Sequence, residues 1–155
     1  MKKLPVILLF VFLAGGISTC KKYPDGPWFS LRTAMARVAG SWKVESYIVN
    51  GNDSTDVINS RLPCEYIVRF SKPEKSSPGY CSISCTYPLV GGGTGSWGFG
   101  ENKTQLRIDG PTNNPTSQAF PPLGFTWNIQ RLTNKEMWLK TNYAGNDYYI
   151  ELKQK

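Results

Sequence analysis

The side chains best suited to chemistry in this sequence are its four cysteines, Cys20, Cys64, Cys81 and Cys85. The sequence contains no histidine, so it lacks the usual general base of a catalytic triad and the commonest zinc ligand. Cys81 and Cys85 form the one short cysteine pair, and no fourth ligand has the spacing of a zinc site. We therefore expect no metal and no cofactor, and we expect the cysteines to serve attachment and structure.

Other catalytic patterns are also missing from the sequence. The glycine-rich stretch Gly91-Gly92-Gly93-Thr94-Gly95 precedes a predicted strand, whereas a phosphate-binding loop leads into a helix. The carboxylates fall mainly on turns and on outward positions of the predicted strands, where they face solvent. The sequence therefore predicts a protein that is not an enzyme.

The first nineteen residues have the pattern of an export signal. Lys2 and Lys3 precede an apolar run from Leu4 to Ala14, which is too short to span a bilayer, and small residues follow. Because this stretch ends at Cys20, it resembles the signal of bacterial lipoproteins, in which the cysteine is acylated, for example with palmitate, and becomes the mature N-terminus. The alternative is an ordinary cleaved signal that leaves Cys20 as a thiol.

The lipoprotein resemblance implies a signal peptide over residues 1–19 and a lipid anchor at Cys20. Membrane association through that lipid would place the protein in a Gram-negative cell envelope, at the outer membrane, with either face possible. We interpret residues 20–29 as anchor and tether, because Lys21 to Pro27 is polar and rich in turn residues. Residues 30–155 are long enough for one domain.

Charge excludes one class of partner. The chain has 155 residues and a net charge of +7, of which Lys2 and Lys3 contribute two, so the part from Cys20 onward carries +5. These charges are spread over many segments and form no basic run, so we expect no nucleic-acid partner. The oligomeric state is left open.

The hydrophobic pattern predicts an all-β domain preceded by a short helix. Ser30 can cap a helix that has Leu31, Met35 and Val38 on one face, with Gly40 at its C-terminal cap. From Ser41 onward the period is two. About eight antiparallel strands with short turns predict an up-and-down β-barrel, and a two-sheet sandwich is the alternative. The predicted strands are Ser41–Asn50, Cys64–Ser71, Gly79–Tyr87, Gly95–Gly100, Lys103–Asp109, Gly124–Leu132, Glu136–Asn142 and Asp147–Lys153.

The alternation also assigns the two faces of the predicted sheet. We expect the inward set to be apolar and the outward set to be charged. The predicted inward residues are Trp42, Val44, Ile48, Tyr66, Val68, Phe70, Trp97, Phe99, Leu106, Ile108, Phe125, Trp127, Ile129, Met137, Leu139, Tyr148, Ile150 and Leu152. The predicted outward residues are Lys43, Glu45, Glu65, Arg69, Arg107, Lys140, Glu151 and Lys153.

Three cysteines remain in the domain after Cys20, so one of them is unpaired. Cys81 and Cys85 lie roughly 13 Å apart along one predicted strand, which is too far for a disulfide. A turn centred on Glu74 and Lys75 would place Cys64 opposite Cys85, and we favour that disulfide, with Cys81 buried as a thiol. Three pairings remain open from the sequence.

The predicted helix followed by Gly40-Ser41-Trp42 resembles the lipocalin-like families. In them Gly-x-Trp opens the first strand, and the tryptophan packs under a helix that closes one end of the barrel. Residues 38–53 and 132–139 are similar to small lipocalin-like lipoproteins of Bacteroidota envelopes. Typical lipocalins also stack an arginine on this tryptophan, and Arg131 is the candidate here.

A small barrel either fills its interior with side chains or encloses one small ligand. We expect a small apolar ligand in the interior, bound by Tyr66, Trp97, Phe99, Trp127 and Tyr148. Polar groups such as Tyr66 or Thr141 would orient the ligand. The alternative is that these aromatic residues are simply the core.

A second hypothesis uses the outer face of the barrel. Trp138 and Tyr149 are predicted to point outward on adjacent strands, with Tyr47 near them, and exposed aromatic groups of this kind mark partner surfaces. The partner would be an envelope protein or a glycan. The proline-rich stretch from Gly110 to Pro122 is another candidate binding loop. In addition, Asp53-Ser54-Thr55 resembles the acceptor motif for O-glycosylation in Bacteroidota, with Ser54 as the acceptor.

Overall fold

The structure, a computed structural model, describes residues 22–27, 30–56, 66–73, 79–85, 93–109 and 126–155. Within these residues it shows a short helix before the first strand, a 3₁₀ turn at Glu101–Lys103 and nine β-strands that belong to one antiparallel sheet. The elements are α1 (Ala34–Val38), β1 (Gly40–Val49), β2 (Asn52–Asp53), β3 (Tyr66–Phe70), β4 (Gly79–Cys85), β5 (Gly93–Phe99), β6 (Gln105–Asp109), β7 (Thr126–Leu132), β8 (Glu136–Tyr143) and β9 (Asn146–Gln154).

The strands follow one another in the sheet nearly as they do in the sequence. From β3 to β9 every strand pairs antiparallel with the next one along the chain. The first long strand, β1, pairs with β3 over Gly40–Lys43 and with β9 from Trp42 to Val49. All nine strands form one sheet, which disagrees with the alternative of two separate sheets.

The alternating strand directions define two ends of the molecule. The helix end carries α1, the 3₁₀ turn between β5 and β6, and the turn of residues 133–135 between β7 and β8. The opposite end, here called the loop end, carries the turns at Asn50–Gly51 and Ala144–Gly145. Positive φ angles at Asn102 (50°), Ala144 (49°) and Gly145 (80°) show how tightly the chain reverses.

The all-β antiparallel prediction is confirmed, and most strand boundaries agree to within two residues. The three turns predicted at Glu101-Asn102, Thr133-Asn134-Lys135 and Ala144-Gly145-Asn146 connect consecutive strands as expected. The two-residue strand β2 was not predicted, because Asn and Asp are poor strand formers. The predicted residues 86, 87, 124 and 125 lie outside the described part of the chain, as do Glu65 and the loop from Gly110 to Pro122.

Over most of the described strands, the buried face of the sheet is the apolar face that the alternation predicts. Trp42, Trp97, Trp127, Leu106 and Met137 are among the side chains that are at most 2% exposed. Residues expected to point outward, such as Arg69, Arg107 and Lys140, are exposed. One departure from the alternation is in β1.

The register of β1 against β9 shifts between Val44 and Ser46, which indicates a β-bulge at Glu45. An extra residue in one strand reverses the facing of every residue after it. Tyr47 is therefore buried in the core, at 8% exposure, whereas Ile48 is only half-buried. The prediction that Ile48 points inward and Tyr47 outward is wrong for this reason.

The helix begins later than the sequence pattern suggested. Thr33, not Ser30, caps α1, because its hydroxyl accepts a hydrogen bond from the amide of Ala36 at 3.2 Å. Leu31 precedes the helix and is 96% exposed, while Val38 at the end of the helix is fully buried. Ala39 is the C-terminal cap, so Gly40 opens β1 instead of ending the helix.

Residues 22–27 pack against the sheet and do not form the tether that we expected. The ring of Tyr23 is 2% exposed, and its hydroxyl donates a hydrogen bond to the Lys103 carbonyl at 3.0 Å. The amide of Asp25 donates to the carbonyl of Gln130 at 2.9 Å. A buried aromatic ring and a backbone hydrogen bond to β7 make this segment part of the domain.

The strand register also bears on the cysteines. Cys85 pairs with Tyr66, and Cys81 pairs with Phe70. Cys64 is therefore not opposite Cys85. The register between β3 and β4 differs by two residues from the register that we assumed. Cys64 lies outside the described residues, so the Cys64–Cys85 disulfide stays a prediction.

Within the described residues, no helix is long and apolar enough to cross a membrane.

Candidate functional site

The first group of predicted ligand-binding residues surrounds Trp97 on β5. Its indole makes edge contacts with Phe70 and Phe99, at ring-centre distances of 5.6 and 5.8 Å. Its Nε1 donates to the carbonyl of Ser71 at 2.8 Å. The ring also lies directly on Gly79, where a Cβ would stand 2.3 Å from Nε1. Trp97 is thus fully hydrogen-bonded and closely packed, as a core residue is.

Trp127 on β7 has a different environment. It is 0% exposed, and its Nε1 has no hydrogen-bond partner in the described part of the chain. Leu106 lies beside it on β6, and the pairing of Asn128 with Lys140 places Thr141 opposite it on β8. A buried N–H without an acceptor costs about 1–3 kcal/mol, so this donor is a candidate contact for a bound molecule.

Polar groups continue across the sheet from Trp127. Thr141 is 6% exposed and donates its hydroxyl proton to the Thr126 carbonyl at 3.0 Å, which leaves its oxygen able to accept. Tyr148 pairs with Thr141, and its ring stacks on Tyr47 with centres 6.3 Å apart and planes at 27°. We call Trp127, Thr141, Tyr148 and Tyr47 the inner polar cluster.

The ionisation of Tyr47 fits this enclosed environment. Burial, and next the neighbouring Tyr148, raise its pKa to about 12. The phenol is therefore neutral at physiological pH and keeps its proton. The inner polar cluster presents neutral hydrogen-bonding groups within an apolar core, with no charged group among its four members.

Among the predicted ligand-binding residues, the structure brings Trp97 and Phe99 together, and Phe99 and Trp127 flank Leu106 in one row of the sheet. Tyr148 lies beyond Thr141 in the inner polar cluster. The side chain of Tyr66 is outside the described set. Tyr47 was missed as an inner residue because a single-residue bulge leaves no mark on the pattern of residue types.

The outer face holds the predicted pair of Trp138 and Tyr149, whose ring centres are 6.5 Å apart. The guanidinium of Arg131 lies over the Trp138 ring at 4.9 Å and bonds to Glu136 at 2.8 Å. Arg131 is thus stacked on Trp138. The lipocalin pattern had suggested Trp42 as its partner, and that expectation is wrong. Tyr47 does not belong to this surface, since it faces the core.

A groove of about 400 Å³ runs beside this pair. It is lined by residues of β1, β7, β8 and β9 and of the turn after β1, namely Ile48, Gly51, Gln130, Lys140, Asp147, Tyr148 and Tyr149. Burial, and next the carboxylate of Glu151, raises the pKa of Tyr149 to about 12. The outer face therefore combines an aromatic pair with charged neighbours.

The predicted glycosylation motif is held in a tight turn after β2. The Asp53 carboxylate accepts hydrogen bonds from the amide and the hydroxyl of Thr55, at 2.9 and 2.5 Å. These bonds lower the pKa of Asp53. The Thr55 oxygen also accepts from the amide of Tyr47 at 2.8 Å. Thr55 is thus held by several bonds, and Ser54 between them is half-buried.

The Gly40-Ser41-Trp42 stretch has a specific geometry at the helix end. Gly40 adopts a φ of 149°, a conformation that favours glycine. Two residues later Trp42 is fully buried, and its Nε1 donates to the carbonyl of Val38, the last residue of α1, at 2.8 Å. The tryptophan thereby ties the first strand to the helix above it.

No group of three potential metal ligands occurs within the described residues.

The fold is similar to that of a solved structure. A lipocalin-like protein from Bacteroides uniformis superposes with a TM-score of 0.53 at 15% identity, over 77% of this chain and 99% of that protein. The chain has a lipocalin-like β-fold. A second structure, of an uncharacterised protein from Bacteroides eggerthii, matches with a TM-score of 0.45 at 19% identity, over 75% and 98% of the two chains. No family model and no curated protein matches the sequence.

In a lipocalin-like fold the inner face is the usual place for a small ligand, because the strands surround it. The inner polar cluster lies on that face, toward the loop end. Fold alone does not define function.

Proposed function

We propose that this chain is a non-catalytic lipoprotein of the bacterial cell envelope that binds a small apolar ligand inside a lipocalin-like barrel. Acylation at Cys20 anchors the domain to the outer membrane. The pairing of β1 with β9 supports closure of the strands into a barrel. The ligand is apolar because the inner face is lined with aromatic and aliphatic side chains.

The observation that carries this proposal is the buried indole N–H of Trp127, which has no acceptor among the described groups. An apolar ligand with one acceptor oxygen would satisfy this donor and remove its cost. The hydroxyl groups of Thr141 and the two stacked tyrosines lie in the same cluster. They could orient such an oxygen, so we expect a carbonyl or carboxyl oxygen on the ligand.

Binding can be tested with the apolar dye 1-anilinonaphthalene-8-sulfonate, whose sulfonate oxygens can accept the Trp127 hydrogen bond. We expect the wild-type chain to bind one dye molecule with enhanced fluorescence. Trp127→Phe should weaken binding about tenfold, which corresponds to ~1.4 kcal/mol. The matched control is Trp97→Phe, which removes an indole N–H that is already bonded to Ser71, and it should leave dye affinity unchanged.

Equal dye affinity in the wild type and in both variants would contradict the role of Trp127. Native mass spectrometry of the purified chain provides an independent measurement. A co-purified small lipophilic molecule supports the proposal, and its mass identifies the ligand class. An empty domain that also fails to bind the dye would contradict ligand binding altogether.

The alternative function is recognition of an envelope protein or glycan by the outer face. The observation that favours it is the contact between Trp138 and Tyr149. Arg131 is stacked on the Trp138 ring of this pair. Both rings are half-buried, so the available area is modest. If Trp138→Ala abolishes capture of envelope glycans while dye binding is unchanged, the outer face is the functional one.

A further inference from the structure

The chain enters the domain at the helix end, very close to the proposed lipid anchor. Two residues, Lys21 and Lys22, separate Cys20 from Tyr23, and the ring of Tyr23 is buried against the 3₁₀ turn at that end. Three extended residues span at most about 11 Å. A lipid on Cys20 would therefore hold the helix end itself near the bilayer surface.

The exposed charges at the helix end are mainly positive. This holds within the described residues for the exposed charged side chains that lie outside the strands at this end. Six are basic and two are acidic. The basic ones are Lys22, Arg32, Lys72, Lys103, Lys135 and Lys155, and the acidic ones are Asp25 and Glu101.

The loop end has the opposite character. Its exposed charges within the described residues include four carboxylates at or next to the strand ends, those of Asp53, Asp56, Asp109 and Asp147. Arg107 is the accompanying base and forms an ion pair with Asp109 at 3.2 Å. The exposed charges of the described residues are thus polarised along the strands, with the positive side at the entry point of the chain.

We propose that the helix end is a docking face for an anionic bilayer surface, so that the loop end points away from the membrane. This inference rests on the proposed acylation of Cys20. Attraction between lysines and an anionic leaflet acts over a Debye length of about 8–10 Å. The short connection to Cys20 keeps the basic side chains within that distance, whereas a flexible tether would not.

This orientation has a consequence for the inner polar cluster. Tyr148 and Tyr47 lie toward the loop end, because Tyr148 follows the turn at Ala144–Gly145 by three residues. At the other end, α1 and Tyr23 cover the core. A docked domain would therefore receive its ligand from the aqueous side and not from the lipid below it.

Hydrogen–deuterium exchange tests the docking face on the full chain, isolated with its N-terminal lipid. The chain is placed on vesicles of phosphatidylcholine alone or of phosphatidylcholine mixed with phosphatidylglycerol. We expect slower exchange of residues 101–104 and 133–136 on the anionic vesicles, and unchanged exchange around Asn50 and Gly145. Added salt should remove the difference.

Charge variants make the test specific. In Lys103→Gln and in Lys135→Gln, the ratio of docked to undocked protein should fall about fivefold for each charge removed. The matched control is Lys140→Gln, which removes an exposed lysine on the side of the sheet, and it should exchange like the wild type. Urea midpoints in detergent establish that the variants are folded.

Three outcomes would overturn the inference. Exchange at the helix end that is the same on both kinds of vesicle would exclude docking through this face, and protection around Gly145 would reverse the orientation. An intact mass that shows an unmodified Cys20 would remove the anchor on which the inference depends. Dye binding to the inner face is measured separately, so its failure is distinguishable from each of these.

Discussion

The guanidinium of Arg37 lies over the ring of Tyr23, with its Cζ 5.7 Å from the ring centre, and both side chains are more than nine-tenths buried. Arg37 also donates through Nη1 to the carbonyl of Leu132. Through Tyr23 and its bond to the Lys103 carbonyl, the contact joins the N-terminal segment, the 3₁₀ turn and the end of β7. The helix end is therefore closed by parts of the chain that are far apart in sequence.

Removal of the Tyr23 ring should destabilise the domain. Tyr23→Ala is expected to lower the free energy of unfolding by about 3–4 kcal/mol, as other large core truncations do. Tyr23→Phe retains the packing and loses one hydrogen bond, so it should cost about 1 kcal/mol. Urea unfolding followed by tryptophan fluorescence measures both values.

The control for Tyr23 is Leu31→Ala, since Leu31 is 96% exposed and its removal should change stability by less than about 0.5 kcal/mol. If Tyr23→Ala proved as mild as Leu31→Ala, residues 22–27 would be a tether after all, and the docking face proposed above would lose its basis.

The contact of Gly79 with Trp97 makes a second prediction. A Cβ at position 79 would stand 2.3 Å from the indole Nε1, whereas a Cβ at Gly98 would meet no atom within 4 Å. Gly79→Ala must displace a buried indole that is held by Phe70, Phe99 and Ser71. We expect it to cost about 1–3 kcal/mol.

Gly98→Ala should be neutral or slightly stabilising, because the added methyl group has room and the unfolded chain loses freedom. Thermal unfolding of the two variants gives the comparison. A similar loss of stability in both would show that backbone flexibility, and not the contact with Trp97, requires glycine in these strands.

Much of the fold could be predicted because the period-two pattern is repeated in every strand. Trp127, Ile129, Leu139 and Ile150 all lie on the predicted face. The pattern failed where one extra residue in a strand shifts the register. The bulge at Glu45 has no compositional signature, since a bulged residue has ordinary side-chain chemistry.

The site was less predictable than the fold. Composition indicated an aromatic interior, but it could not separate Trp97, whose N–H is bonded to Ser71, from Trp127, whose N–H has no acceptor among the described groups. That difference depends on which backbone carbonyl lies near each ring. The burial of Tyr23 was missed for a similar reason, because Lys21 to Pro27 has the composition of a linker.

The reversal of facing in β1 can be tested by truncating its two neighbouring side chains. Tyr47 is 8% exposed and stacks on Tyr148, and Ile48 is half-buried on the outer face. Tyr47→Ala should cost about 3 kcal/mol or more, and Ile48→Ala about 1 kcal/mol. The midpoints of urea unfolding measure this difference, provided that the dependence of the free energy of unfolding on urea concentration is the same in all the chains. The uninterrupted alternation predicts the opposite order. A larger loss of stability in Ile48→Ala than in Tyr47→Ala would therefore show that β1 has no bulge.

Stability at high pH should depend on Tyr47 and Tyr149. The pKa of each is raised from 10.0 to about 12, by burial first and then by Tyr148 or by Glu151 respectively. The unfolded chain therefore releases these protons at lower pH than the folded chain does. The stability that the neutral phenols contribute is fully present below pH 10, and it is lost as the pH rises from 10 toward 12.

Ultraviolet titration of tyrosinate should show late-ionising groups in the folded protein, and the urea-unfolded chain should titrate as a single population near pH 10. Tyr47→Phe and Tyr149→Phe should each remove one late group. The double variant should also reduce the fall of the urea midpoint between pH 10 and 12, because its unfolded state no longer releases those two protons. All other titratable groups are common to all the chains, so the comparison isolates the two phenols. Loss of a group that ionises near pH 10, and not of a late one, in both single variants would show that neither phenol is shielded from solvent in the way that the structure indicates.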